Sequence, residues 1–214
     1  MSIQLSRPSL ERLPVYYRIL KHAAEQKSSY ISSSEIGRKA GVPGAQVRKD
    51  LLCFKAKGRP SVGFHVLTLR KDLEKYLGLE HSRSVALVGA GNLGKALAQF
   101  PGFAQYGMKI TLLLDKDPQK IGSVIGGLEI KGMDVLPLIA KKMRLRIGII
   151  TTPASEAQLV AEQMVAAGII SIWNFTPTRL SLPEDVFIRY EDLSAGLALL
   201  SQKAAEFERN HSHE

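Results

Sequence analysis

Hydrophobic and polar positions follow two different rhythms along this chain. In the first third they recur at three-and-four spacing. Leu10, Leu13, Tyr17, Leu20 and Ala24 mark a helix opened by Pro8 and Ser9 and running to about Glu25, with Arg12 and Arg18 off the apolar stripe. After a loop, Gln26–Tyr30, the run Ser32-Ser33-Ser34-Glu35 supplies cap residues for a short helix through Ala40. Gly41-Val42-Pro43 turns the chain into a third helix, about Gly44 to Phe54. Lys55–Val66 reads as a hairpin with a basic, glycine-containing tip, and Thr68–Leu77 as a fourth helix.

Beyond Ser84, buried-strand runs alternate with helical stretches. Val85–Val88, Ile110–Leu114, Arg146–Thr151 and Ile169–Asn174 read as strands, and Ile125–Ile130 as a short extension. Met133–Lys142 and Glu156–Ala167 read as helices between them. This is the rhythm of a doubly wound parallel sheet, which binds ligands beyond the carboxyl ends of its strands. A last helix, about Asp192–Phe207, carries Leu193, Leu197 and Leu200 on a face suited to another subunit.

The first strand runs into Gly89-Ala90-Gly91-Asn92-Leu93-Gly94 and then a helix. In such a turn the first glycine permits the tight bend, the second lets backbone N–H groups approach a pyrophosphate, and the third brings the helix close to the strand. The spacing alone also occurs in empty α/β turns. Here Asp115 ends the second strand twenty-one positions past Gly94, where the ribose hydroxyls of NAD need an acceptor. That acid favours NAD over NADP, and Lys116 beside it weakens the preference without reversing it. Thr151-Thr152-Pro153 and Asn174-Phe175-Thr176 end later strands and are candidates for the nicotinamide half. They are equally readable as plain strand-ending turns.

Charge separates the two parts further. The net charge is +9; residues 1–83 hold sixteen Lys and Arg against seven acids, and residues 84–214 hold thirteen of each. A basic module joined to a neutral nucleotide-binding domain implies a polyanionic partner, and nucleic acid is the commonest. Two short helices with a tight glycine-containing turn form a helix-turn-helix whose second helix enters the major groove. Gln46 suits adenine, Arg48 guanine and Lys49 a phosphate, with Ser33 at the start of the preceding helix a further candidate contact and Asp50 placed to orient a neighbouring arginine. Lys57 and Arg59 at the hairpin tip suit a DNA backbone or minor groove.

Several function classes drop out. No apolar run approaches the ~20 residues of a membrane span, and Met1–Leu20 lacks a signal-peptide core, so the expected location is cytoplasmic, with no membrane partner. The single cysteine, Cys53, excludes an internal disulfide. Dehydrogenases place a His, Lys or Tyr acid/base near the nicotinamide. None of the five histidines lies between Ser84 and Leu200, and neither Tyr106 nor Tyr190 is followed by a lysine four positions on. No His/Cys/Asp cluster has metal-ligand spacing and no P-loop ending is present. The expectation is no catalytic residue, no metal and a site that senses its cofactor.

Arg12-Leu13-Pro14-Val15-Tyr16-Tyr17-Arg18, Ala45-Gln46-Val47-Arg48-Lys49-Asp50-Leu51, Val88–Gly94, Asp115-Lys116-Asp117-Pro118, Asn174-Phe175-Thr176-Pro177 and Val186–Leu193 together resemble the Rex family of redox-sensing repressors over nearly the whole chain. The resemblance implies a winged-helix domain (1–80), a Rossmann NAD(H)-binding domain (81–191), a C-terminal helix exchanged in a homodimer (192–208) and a polar tail (209–214). It implies binding to a palindromic double-stranded operator when NADH is scarce and release when NADH binds. Arg48 and Lys49 then correspond to operator contacts, Asp115 to the ribose ligand, and Arg18 with Asp192 to a pair that tells reduced from oxidised nicotinamide. The chain departs from the family at Phe54-Lys55, usually Phe-Gly, and at Pro60-Ser61, usually Arg-Gly, with Arg59 the substitute contact. Phe64 and Phe100 each replace a tyrosine, the latter one whose hydroxyl meets the aspartate corresponding to Asp192. The competing readings are an NAD-dependent oxidoreductase with a basic accessory domain and an architectural DNA-binding protein with an empty Rossmann scaffold.

Overall fold

A computed structural model describes residues 5–55 and 57–211, so Ala56 at the start of the expected wing and residues 212–214 of the expected tail lie outside the described residues. The chain divides into two compact units, residues 1–82 with 105–107, and residues 83–104 with 108–214.

The first unit is helical. Helix α1, Arg7–Glu25, starts where the Ser6 hydroxyl accepts from the Ser9 amide. Its buried face is Leu13, Tyr16, Tyr17, Leu20 and Ala23. Leu13, Tyr17 and Leu20 of the expected stripe are buried, whereas Leu10 is exposed and Tyr16 is fully buried, because the Tyr16 hydroxyl finds a buried acceptor, Asp50. Helix α2, Ser33–Ala40, is capped by Ser32, whose hydroxyl accepts from the Glu35 amide, and closed by Gly41 in the left-handed region. Helix α3, Gly44–Leu51, ends three residues before the expected Phe54: the Leu52 and Phe54 amides turn back to Lys49 and Leu51, and the Phe54 side chain drops into the core.

The expected Lys55–Val66 hairpin does not form as such. Strand β2, Phe64–His65, pairs antiparallel with β1, Tyr30–Ile31, where the expected Gln26–Tyr30 loop ends. The wing itself is a tight turn held by reciprocal 2.9 Å backbone bonds between Arg59 and Gly63. Helix α4, Val66–Tyr76, packs on α1 and completes the core. Tyr106 belongs with this unit: its ring lies 6.3 Å from that of Tyr17 and its hydroxyl donates to the Pro14 carbonyl.

The second unit is built on a seven-stranded sheet. In chain order its strands are β3 (Arg83–Val88), β4 (Met108–Leu114), β5 (Val124–Ile125), β6 (Leu128–Lys131), β7 (Ile147–Ile150), β8 (Ser171–Asn174) and β9 (Phe187–Tyr190). The order across the sheet is β5-β6-β4-β3-β7-β8-β9, with only β5 and β6 antiparallel. Valine, leucine and isoleucine fill β3, β4 and β7 because strands covered on both faces have no polar side to present. Helices α6 (Leu136–Met143) and α7 (Ala157–Ala166) bury one face; α5 (Asn92–Ala98) lies on the other with Phe103, Trp173 and Phe175. From β3 the chain moves to β4 and β6 on one side, then returns to β7 on the other. The carboxyl ends of β3, β4 and β7 therefore flank the sheet's switch point.

Helix α8, Leu193–His211, runs past the expected Phe207 into the expected tail, with the His211 ring stacked 4.0 Å from Phe207. It has no buried residue, and Leu193, Leu197, Leu199, Leu200 and Phe207 stand at 59–71% exposure. Among the described residues no helix is long and apolar enough to cross a membrane.

Candidate nucleotide and DNA sites

The glycine-rich turn has the geometry that three separate steric demands require. Gly89 sits at φ +104°, where a side chain is strained, and a Cβ there would lie 2.7 Å from the Thr151 backbone. At Gly94 a Cβ would meet the Gly89 carbonyl oxygen. Around Gly91, by contrast, a Cβ would find nothing within 4 Å; the backbone there faces open space. The turn is stapled between strands: the Gly89 amide donates to Leu114 O (2.8 Å), and the Thr151 hydroxyl donates to Gly89 O (2.8 Å) and Val88 O (3.1 Å).

Asp115 at the end of β4 is 6% exposed and holds this turn from the other side. Its Oδ2 accepts the Ala90 amide (2.7 Å) and the Lys120 ammonium (3.2 Å), and its Oδ1 accepts the Asp117 amide (2.9 Å). Burial pushes the carboxyl up, but the Asp117 and Ala90 amides and Lys120 outweigh it, so the group stays ionised below its ordinary range. Lys120 is raised in turn by its bond to Asp115. Lys116, the cation next to Asp115 in the sequence, instead bonds Glu156 at 2.8 Å. Lys120 reaches Asp115 because the turn at Asp117-Pro118 folds the chain back, a signal the adjacent residues hid.

These residues line a cavity of about 570 Å³ at the switch point, with Gly89, Gly91, Asp115, Lys116, Thr151, Thr152 and Pro153 all on its walls. The Thr152 hydroxyl is buried there and has no hydrogen-bond partner among the described residues, an unmet demand that a ligand can satisfy. Lys120, Met133, Glu156 and Val160, which carry no local motif, also line it. Asn92 and Leu93 open α5 outside it.

Asn174, Phe175 and Thr176 also lie outside the lining. Asn174 is fully buried, with its amide nitrogen on Thr178 O (2.9 Å) and its oxygen accepting the Thr176 amide (3.0 Å), so it shapes the turn after β8. Phe175 packs its ring 4.5 Å from Trp173. Asp192 caps α8, accepting the Ser194 and Ala195 amides at 2.9 and 3.1 Å. Phe100 is 54% exposed with its ring edge-on to Phe103. Arg18 is exposed on α1 and makes no ion pair among the described residues.

On α3 the buried face is Val47, Asp50 and Leu51, leaving Arg48 and Lys49 exposed. Arg48 donates to the Ser33 hydroxyl at 2.9 Å, which fixes the guanidinium against α2. Gln46, expected to be free for adenine, instead donates its amide to Asp50 Oδ1 at 2.8 Å. The arginine that Asp50 orients is Arg12, off the apolar stripe of α1: it forms a two-pronged pair with both carboxylate oxygens at 2.7 and 2.8 Å. Tyr16 donates to the same carboxylate at 2.8 Å. Burial raises Asp50, but the Arg12, Tyr16, Gln46 and Ser9 bonds bring it down to about 2, while burial beside that anion pushes Tyr16 up to about 12. In the wing, Lys57 donates to Leu52 O, and Lys55, Lys57 and Arg59 line a basic cleft with His65.

A helix-turn-helix unit with a basic wing, joined to a switch-point nucleotide cavity, defines a class of protein: transcription regulators whose DNA binding answers to a small ligand. Residues 4–51 match the family model described as "Putative DNA-binding protein N-terminus", and residues 80–178 match that of the "CoA binding domain". The redox-sensing transcriptional repressor Rex of Desulfitobacterium hafniense is 40% identical over 200 residues, 94% of this chain and 95% of that protein. The Rex-family repressor RSP, solved with beta-NAD+ and operator DNA, aligns at TM-score 0.88 and 33% identity over 99% of this chain and 97% of its own. RSP solved with beta-NADH aligns at TM-score 0.83 and 32% identity over the whole of both chains. The chain belongs to the Rex family of redox-sensing transcriptional repressors, and it is a regulator rather than an enzyme.

Proposed function

We propose that this chain is a homodimeric repressor that binds a palindromic operator in the cytoplasm when NADH is scarce and leaves it when NADH fills the switch-point cavity. The observation that carries the reading is that cavity: its walls meet the steric demands of a dinucleotide, and the strands around it bring no histidine to it. The residues fit the group. The open backbone at Gly91 admits a pyrophosphate, Thr152 offers an unpaired hydroxyl, and ionised Asp115 stands where the ribose hydroxyls need an acceptor. The nicotinamide ring supplies a redox state to be read.

Residues 1–80 form the DNA-binding domain in this reading, 81–191 the NAD(H) domain and 192–208 the dimerisation helix. Five large apolar side chains stand bare on α8, which supports its exchange between subunits; a monomer rarely leaves such a face uncovered. Arg18 and Asp192 are the pair that distinguishes NADH from NAD, and Asn174, Phe175 and Thr176 support the nicotinamide end. By linkage, operator DNA weakens NADH binding by the factor by which NADH weakens operator binding, and an almost complete switch needs about 5.5 kcal/mol of differential affinity.

The test is fluorescence anisotropy of a labelled palindromic duplex at fixed salt, titrated with NADH and separately with NAD. Release by NADH and not by NAD is expected; binding indifferent to both overturns the sensor reading. Arg48→Ala is expected to weaken operator binding by about 1–3 kcal/mol and relax preference at one base pair, whereas Lys49→Ala weakens all duplexes alike and lowers the salt slope by about one. The same anisotropy titration, run on point-mutated duplexes, checks both.

A further inference from the structure

The opposite end of the parallel sheet, where β7 and β8 begin, carries a second site that neither the glycine-rich turn nor the DNA-binding unit explains. Residues 84–214 balance thirteen Lys and Arg with thirteen acids, yet four of those cations fall within Lys141–Arg146, and no acid occurs between Asp134 and Glu156. Lys141, Arg144 and Arg146 line a cavity of about 370 Å³ floored by Ala140, Ala167 and Gly168, between the C-terminal ends of α6 and α7. Among the described residues none of these cations makes an ion pair; Arg146 alone is tethered, donating to the Gly168 carbonyl at 2.7 Å.

Cations at helix C-termini are often explained by the helix dipole. Two helix ends supply together about one negative charge, against the three cations that line the cavity. The excess is unanswered within the protein. Arg144 adds an independent sign. It occupies the left-handed cap of α6 at φ 51°, a position that favours glycine, so a charged side chain is kept there at a cost in backbone strain. The floor of small residues leaves a shallow depression beneath these exposed cations.

We infer that this cavity binds a small anion carrying two or more phosphate groups, as an effector site separate from the dinucleotide cavity. Its positive charge and its size select for a compact polyphosphate, which Lys141 and Arg144 on its wall would neutralise.

The experiment titrates the full chain with inorganic tripolyphosphate, following backbone amides by two-dimensional NMR and affinity by calorimetry. Wild type is compared with Lys141→Gln and Arg144→Gly. Amide shifts are expected at residues 141–146 and 166–168, and each variant is expected to bind roughly three- to tenfold more weakly, the range of one exposed charge-assisted contact. Arg144→Gly is also expected to raise the melting midpoint, because glycine relieves the left-handed cap; loss of binding therefore cannot be blamed on misfolding. If Arg144 serves only as a cap, that variant gains stability and keeps its anion affinity, which overturns the proposal. Shifts confined to residues 89–94 or to the first unit, or a response at 141–146 to duplex DNA but not to tripolyphosphate, overturn it as well.

Discussion

Asp50→Ala is expected to destabilise the DNA-binding unit by about 3 kcal/mol and to abolish operator binding, the largest single-residue effect in that unit. The carboxylate is fully buried and accepts from Arg12, Tyr16 and Gln46, side chains that come from both α1 and α3. Removing it strands the Arg12 charge, which is only 23% exposed, and leaves the buried Tyr16 hydroxyl without an acceptor. Breaking one side of a buried, hydrogen-bonded pair costs several kcal/mol because the partner's desolvation is no longer offset. Asp50→Asn keeps one acceptor oxygen and is expected to cost about half as much. Urea denaturation read by circular dichroism checks both. The pH dependence gives a second signature. Asp50 titrates near 2 when folded and near 4 when unfolded, so the unfolded chain takes up the proton first and stability falls as the solution is acidified. This contribution is complete above about pH 5, is worth roughly 2 kcal/mol, and disappears as pH drops to about 2; in either variant that acid-dependent step is expected to vanish.

The same network shows where sequence reading reaches its limit. Helix spacing locates α1, α2 and α3 to within a few residues, since apolar periodicity and caps are local signals. Local spacing cannot tell that Asp50 joins Arg12 from thirty-eight positions away, so it leaves Gln46 free for adenine when Gln46 is spent on Asp50 within α3 and Arg12 holds α3 against α1. The two-residue strands β1 and β2 are too short for a period of two to register, and their pairing is a tertiary fact. In the second unit the alternation of strands and helices was legible because each parallel strand is a continuous apolar run. Strand β9 escaped notice, as the exposed edge strand Phe187–Tyr190 carries no such run. The cavity was legible at Gly89, Gly91, Asp115 and Thr151–Pro153, all at strand ends, and illegible at Lys120 and Glu156, which turns and a neighbouring helix deliver.

Gly91→Ala and Gly94→Ala are expected to abolish the NADH response for different reasons, and the difference separates the fold from the ligand site. At Gly94 the added methyl lands on the Gly89 carbonyl, which also accepts from the Thr151 hydroxyl; α5 has to move off β3 or the turn has to rotate. Such overpacking costs about 1–3 kcal/mol, so the melting midpoint of the second unit falls together with NADH affinity. At Gly91 the methyl meets nothing within 4 Å, and the backbone, with φ at −76°, suits alanine. Stability is therefore expected to be unchanged or slightly raised. A dinucleotide whose pyrophosphate needs that open backbone would nevertheless meet the methyl directly, and its affinity is expected to fall roughly 10- to 100-fold, each factor of ten corresponding to about 1.4 kcal/mol. The result is a well-folded repressor that holds its operator at NADH concentrations that release the wild type. Calorimetric NADH titration beside thermal melting checks the pair: if Gly91→Ala binds NADH like the wild type, the dinucleotide does not pass over this turn and the cavity at the switch point serves another ligand.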